Sequence, residues 1–172
     1  MNRVFAALAG VAVMASPMAV AQVSGDGGPI KVNADKSEVL ERQRKVVLID
    51  NVDIMQGTAR LRANRVTINY AGSGGTETSG LTGFGDIESM EAVGEVFYVT
   101  PDLKATGDRG VYDAARDTIT LTGEVVLIRG EDVATGQQLV MNLTEGRTVL
   151  DGGGGQVQMN INPNQREGAA GN

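Results

Sequence analysis

Apolar and polar residues alternate along most of this chain. Ile119-Thr120-Leu121-Thr122 places two aliphatic side chains on one face and two hydroxyls on the other, and Arg60-Leu61-Arg62 and Val66-Thr67-Ile68-Asn69-Tyr70 follow the same rule. Successive side chains of an extended strand point to opposite faces, so this period of two marks strands with one buried side. Valine, isoleucine and threonine supply most of the pattern, and branching at Cβ suits extended backbone. The alternation predicts a first strand from Ile30, strands within 39–54, a long strand over 60–70, paired strands within 87–112 and 119–141, and a closing strand from Arg147. Val157, Met159 and Ile161 alternate as one last short strand.

The strands come in repeats. Gly94-Glu95-Val96 returns as Gly123-Glu124-Val125, and Ala105-Thr106-Gly107 as Ala134-Thr135-Gly136, each 29 residues on. Ala34-Asp35-Lys36 is echoed by Ala63-Asn64-Arg65 at the same interval, and Asp50-Asn51-Val52 takes the place of the Gly-Glu-Val triplets. A repeat of this length signals a stacked architecture. Each unit reads as strand, Gly or Asn turn, strand, polar turn, strand. The Gly-, Ser- and Thr-rich stretch 71–85 breaks the beat and reads as a mobile loop. It lacks the Gly-Lys-Ser/Thr ending and the following helix of a phosphate-cradling loop.

The first residues belong to a leader. Arg3 precedes an apolar, alanine-rich run, and Ala19-Val20-Ala21 is a small-x-small cleavage signal. Residues 1–21 are therefore expected to be removed as a signal peptide, leaving one domain over 22–161 and a disordered polar tail over 162–172. Loss of Arg3 takes the net charge from −6 to −7. The acidic balance argues against nucleic acid as a partner. There is no Cys and no His, which removes thiolate chemistry, histidine bases, histidine metal ligands and the serine triad. No catalytic residue, metal ligand or cofactor site is expected. The product reads as a soluble exported β-protein and not an enzyme.

Two charged sets are candidate sites. Asp102, Asp108, Asp113 and Asp117 fall in segments that read as turns, where aspartate serves the backbone. A carboxylate pair for sugar cleavage is the less economical reading. Lys36, Arg42, Arg44, Lys45, Arg60, Arg62 and Arg65 lie in the first part of the chain and alternate with apolar residues, as on a solvated outer face. Their functional alternative is to hold phosphates or acidic partners.

Pro29-Ile30-Lys31-Val32 with Ala34-Asp35, then Asn51-Val52, Gln56-Gly57-Thr58 and Arg62-Ala63-Asn64-Arg65-Val66, resembles the OstA-like family of periplasmic lipopolysaccharide transport proteins. Ala92-Val93-Gly94-Glu95-Val96 and Leu121-Thr122-Gly123-Glu124-Val125 match that family's recurring A-x-G-x-V and L-T-G-x-V patterns. The resemblance covers residues 29–150. It implies an all-β fold, a twisted, slightly open β-jelly-roll of antiparallel strands. It implies end-to-end assembly in the periplasm between an inner-membrane LptC-like partner and an outer-membrane LptD-like partner, with head-to-tail self-association. It also implies a groove for the lipid A acyl chains of lipopolysaccharide. The family's N-terminal strand maps onto Ile30 and Val32, its groove tyrosine onto Tyr112, and the aromatic after its Gly-aromatic-Gly turn onto Met90, with Gly83-Phe84-Gly85 as that turn. The repeat adds Ile68 and Met141 at positions equivalent to Tyr112. An exported β-solenoid enzyme acting on polysaccharide would need acidic residues in register along one face, and a purely structural envelope protein would retain no lipid.

Overall fold

The computed structural model describes residues 29–72 and 86–162. Within them the chain forms ten strands and one short 3-10 turn, Glu41–Gln43. The strands are β1 (Ile30–Asn33), β2 (Lys36–Leu40), β3 (Lys45–Gln56), β4 (Ala59–Tyr70), β5 (Ile87–Val99), β6 (Lys104–Asp113), β7 (Thr118–Arg129), β8 (Asp132–Asn142), β9 (Arg147–Asp151) and β10 (Gln158–Asn160). The loop expected over 71–85 lies largely outside the described residues, as do the leader and all of the tail beyond Asn162. Among the described residues no helix is long and apolar enough to cross a membrane.

Every pairing is antiparallel, and from β3 to β8 neighbours in the sheet are neighbours in the chain. β1 and β2 both pair with β3, and β9 and β10 both pair with β8, so each end of the sheet is closed by one broken strand. The result is the open all-β fold that the alternation predicts, built as a single meander.

The meander is bent across its middle. Register shifts occur at Ile49/Val52, Arg62/Arg65, Val93/Val96, Thr106/Arg109 and Thr122/Val125, across the middle of the five successive long pairs, with a further one at Asn69/Tyr70 near the end of the β4–β5 pair. An extra residue in one strand of a pair bends that strand and increases its twist. Lined up from strand to strand, the bulges form a spine that divides the sheet into two leaves. One carries β1, β10 and the halves of β3 to β8 that pair between them; the other carries β2, β9 and the remaining halves.

The repeated triplets are the bulges, and here the structure corrects the sequence reading. Asp50, Asn51, Gly94, Glu95 and Gly123 have positive φ, as turn residues would, but they lie inside β3, β5 and β7. The chain continues in the same direction through each of them. A short polar side chain lies beside each of these three bulges, from the β1–β2 connection at the first and from the adjoining strand at the other two. Asn51 Nδ2 donates to Asp35 Oδ2 at 2.7 Å. A Cβ on Gly94 would lie 2.8 Å from Asn64 Nδ2, and one on Gly123 only 2.2 Å from Asp108 Oδ2. Glycine is required at position 123 on both counts, conformation and space.

The facing sides of the leaves hold the core. Ile54, Val66, Val96, Leu121 and Leu139 are completely enclosed and belong to one apolar cluster drawn from both leaves. Burying each such side chain contributes about 1.5–3 kcal/mol. The outer side carries the charges. Arg60 donates through Nε and Nη2 to both oxygens of Asp53 at 2.7 Å, and Arg109 Nε to Glu91 at 2.7 Å. The hydrogen bond from Arg60 is the main reason that the Asp53 carboxyl titrates below its ordinary range. Asp53→Asn should cost under about 1 kcal/mol near neutral pH, because Arg60 stays half exposed and water screens the pair. The folded-state pKa is depressed, so this contribution is present above the unfolded value of about 3.9 and lost as the pH falls through the folded one. Urea unfolding of both proteins at neutral and acidic pH checks the sign.

Candidate functional site

The inner face of the β2 leaf carries one unbroken cross-strand row. Val39 pairs with Val46, Val46 with Ile68, Ile68 with Met90, Met90 with Tyr112, Tyr112 with Ile119, and Ile119 with Met141. Thr148 closes it at the far edge. Side chains directly opposite one another in an antiparallel sheet lie close enough to form a continuous surface. Four of the residues expected to line a groove, Ile68, Met90, Tyr112 and Met141, therefore stand in one line across the sheet, and all four are buried. Thr67 and Asn69 point to the opposite face, where Asn69 Nδ2 donates to Ser89 Oγ at 3.0 Å.

Ile30 and Val32 stand apart from that line. They lie on β1, in the other leaf, opposite Gln56 and Ile54. Val32 belongs to a second inward row that runs through Ile54, Leu61, Tyr98, Ala105, Leu127 and Ala134 to Met159 on β10. The two ends of this row, Val32 and Met159, are both exposed. The six residues thus line both walls of one interior and not a single wall. The Gly83-Phe84-Gly85 turn that placed Met90 lies outside the described residues.

Sequence reasoning missed Val39, Val46 and Ile119 as members of the first row and Tyr98 as the centre of the second. Their alternation was visible, but their partners were not.

Between the leaves lies an apolar gap. Leu61 and Tyr98 line it from one side, and Met90, Ala92, Gly110, Tyr112 and Leu121 from the other. Its free space is about 20 Å³, enough for one water molecule. Burial pushes the Tyr98 phenol up to about 12, with the negative charge of Asp117 adding to the effect. Tyr98 thus stays neutral at any ordinary pH.

The charged sets are dispersed. Asp108 and Asp113 are strand residues of β6, contrary to the turns expected for them, while Asp102 and Asp117 do lie in turns. Asp113 accepts from Arg116, and Asp117 accepts from the Tyr112 hydroxyl at 3.2 Å and the Thr144 hydroxyl at 2.7 Å. These carboxylates fix the connections at the end of the β2 leaf. Among the described residues no cluster of acidic side chains could hold a metal ion. Of the basic set, Arg60, Arg62 and Arg65 are exposed on β4, and Lys36 is paired with Glu38 at 2.8 Å.

Comparison with known proteins adds to the geometry. Residues 31–147 match the family described as LptA/(LptD N-terminal domain) LPS transport protein. An uncharacterized protein of Rhizobium meliloti is 36% identical over 147 residues, 85% of this chain and 77% of its own length. The lipopolysaccharide export system protein LptH of Pseudomonas aeruginosa is 27% identical over 136 residues, 75% of this chain and 71% of its own. The crystal structure of LptH, titled the LptA-homologous periplasmic component of the lipopolysaccharide transport device of that organism, superposes with a TM-score of 0.64. That likeness covers 78% of this chain and 96% of LptH at 23% identity, and it speaks for the fold.

Proposed function

The chain belongs to the LptA/(LptD N-terminal domain) LPS transport protein family, and from that premise we propose that it is a periplasmic lipopolysaccharide carrier. It holds lipid A acyl chains between its leaves and joins end to end with partners of the same fold. The observation that carries this reading is the pair of inward apolar rows that cross the whole sheet, one through Ile68, Met90, Tyr112 and Met141, the other from Val32 to Met159. Ile30 lies beside the second. A row with no polar interruption over the central strands gives an acyl chain a continuous apolar track at right angles to the strands. Each CH₂ taken from water contributes about 0.8 kcal/mol, so a chain of a dozen carbons is firmly held even when partly covered.

Such a track needs open ends. β1 and β2 at one edge, and β9 and β10 at the other, end the sheet among the described residues. Edge strands present unpaired backbone groups, which in most proteins are a liability and here are the joining surface. An inner-membrane LptC-like protein at one edge, an outer-membrane LptD-like protein at the other and further copies of this chain between them would make the rows continuous.

Photocrosslinking side chains introduced at Ile68 or Tyr112 should capture lipopolysaccharide in cells, and those at Thr67 or Asn69 should capture little. Equal capture on both faces would count against the inner rows as the track, because a slip of one residue exchanges the faces.

A further inference from the structure

The outer side of the leaf that carries β1 and β10 has a composition of its own. Two cross-strand rows run over it, one through Met55, Arg60, Val99, Lys104, Ile128 and Val133, the other through Asp53, Arg62, Phe97, Thr106, Val126 and Thr135. Lys31 extends the first row onto β1. Six of these thirteen side chains are apolar and four are cationic, against the single carboxylate of Asp53, which Arg60 already engages. The chain as a whole is acidic, with a net charge of −6. Paired positions on the outer side of the other leaf are nearly balanced, with Lys36, Lys45, Arg65, Arg109 and Arg147 set against Glu38, Glu91, Asp113 and Asp151. Exposed large apolar side chains gather mainly at the sheet edges, as Val32, Val39, Val149 and Met159 do. Phe97 stands in mid-sheet instead, 47% exposed, with Arg62 directly opposite it on β4.

We propose that this outer face docks the protein on the surface of an anionic lipid bilayer, with Lys31, Arg62 and Lys104 on the lipid phosphates and Phe97 in the headgroup boundary. Charge complementarity carries the choice of partner: an acidic protein is repelled by such a surface everywhere except where its cations are gathered. Long cationic side chains lay their stems along apolar surface and reach outward with their charge, and each cation near an anionic leaflet adds to the attraction. The ring and the aliphatic side chains around it supply the apolar contact that the headgroup boundary accommodates. The footprint suits a broad surface. From Lys31 to Val133 the first row crosses seven strands, roughly 30 Å at about 4.8 Å per strand. A single acidic peptide laid along one row would leave the other uncovered. The docking does not depend on the inner rows. Those rows cross the strands on the opposite side of the same leaf, so a docked copy holds its track along the membrane plane, and docking and standing in an upright chain are alternative states of one copy.

Vesicle flotation of the chain from Gln22 to Asn172 tests the docking. The protein should float with vesicles of phosphatidylcholine and phosphatidylglycerol in equal parts at low salt, stay behind with phosphatidylcholine alone, and be released as added salt shortens the screening length. Arg62→Glu combined with Lys104→Glu should lower the partition coefficient at least about tenfold. Lys45→Glu combined with Arg147→Glu makes the same change in net charge on the other leaf and should leave it near the wild-type value. Phe97→Ser should lower it about threefold. Should the first pair not fold, Arg62→Gln with Lys104→Gln carries the same prediction at about fivefold. Equal flotation with both kinds of vesicle, no flotation of the folded wild type, or equal losses from the two charge-reversed pairs would overturn the docking. A loss on reversing Arg62 and Lys104 with none on replacing Phe97 would assign the face to an acidic polymer and overturn the bilayer as its partner.

Discussion

Gly123→Ala should destabilise the fold by about 3 kcal/mol, far more than a methyl group usually does. Left-handed backbone costs a residue with a Cβ roughly 1–2 kcal/mol. Gly123 has φ of +105°, and its added methyl would meet Asp108 Oδ2 at 2.2 Å and Asp108 Cβ at 2.7 Å. Relieving such an overlap shifts side chain or backbone at a further cost of about 1–3 kcal/mol. The two contributions separate in a double mutant. Asp108→Ala should be nearly silent alone, since the side chain is exposed, and should restore about half of the loss when combined with Gly123→Ala. Urea unfolding gives all three values. A Gly123→Ala protein within about 0.5 kcal/mol of the wild type would mean that position 123 is not held in the bulge conformation.

Proline in β1 should abolish end-to-end assembly while sparing the core. In an antiparallel edge strand alternate residues donate inward and outward, so one of Lys31 and Val32 directs its N–H to β3 and the other to the free edge. Proline donates nothing. Replacing the outward donor removes a hydrogen bond only from the joint, and replacing the inward one loosens β1 from β3. The wild type should form species whose mass rises with concentration, as two non-identical edges require, because head-to-tail contacts give open chains. Both proline variants should stay smaller with a similar β circular-dichroism signal. Light scattering across a concentration series decides the matter. A wild type that stays monomeric at high concentration, or a closed dimer indifferent to both substitutions, would favour a carrier that shuttles singly.

Face and period were legible in the sequence, because a period of two is a local property of the extended chain. That Ile68 and Thr67 face opposite ways followed from alternation alone, and the burial of Ile68 beside Met90 agrees with it. The glycine triplets were misread because positive φ is common to turns and bulges. Whether the chain reverses at Gly94-Glu95 depends on what Asn64 and its strand do alongside, and no local rule contains that. The same holds for Asp108, which looked like a turn aspartate and is a strand residue beside a bulge. Cross-strand register was equally hidden. Met90, Tyr112 and Ile119 meet side by side, yet nothing in the spacing of 90, 112 and 119 announces it; the row appears only when bulges and connections have set each strand's offset. Tyr98 was hidden for the same reason: its cross-strand partners, Leu61 and Ala105, lie far from it in the chain or across a bulge-set register.

The 29-residue beat corresponds to one hairpin, and among the described residues each hairpin makes its main backbone contacts with the hairpins before and after it. The fold is therefore a ruler with divisions. Adding one unit inside the meander would insert two strands and lengthen the sheet by about 10 Å, at roughly 4.8 Å per strand, without altering either terminal edge. Deleting one would shorten it by the same step. Gain or loss of whole hairpins would thus set the length of the sheet in fixed steps, with its two terminal edges left unchanged.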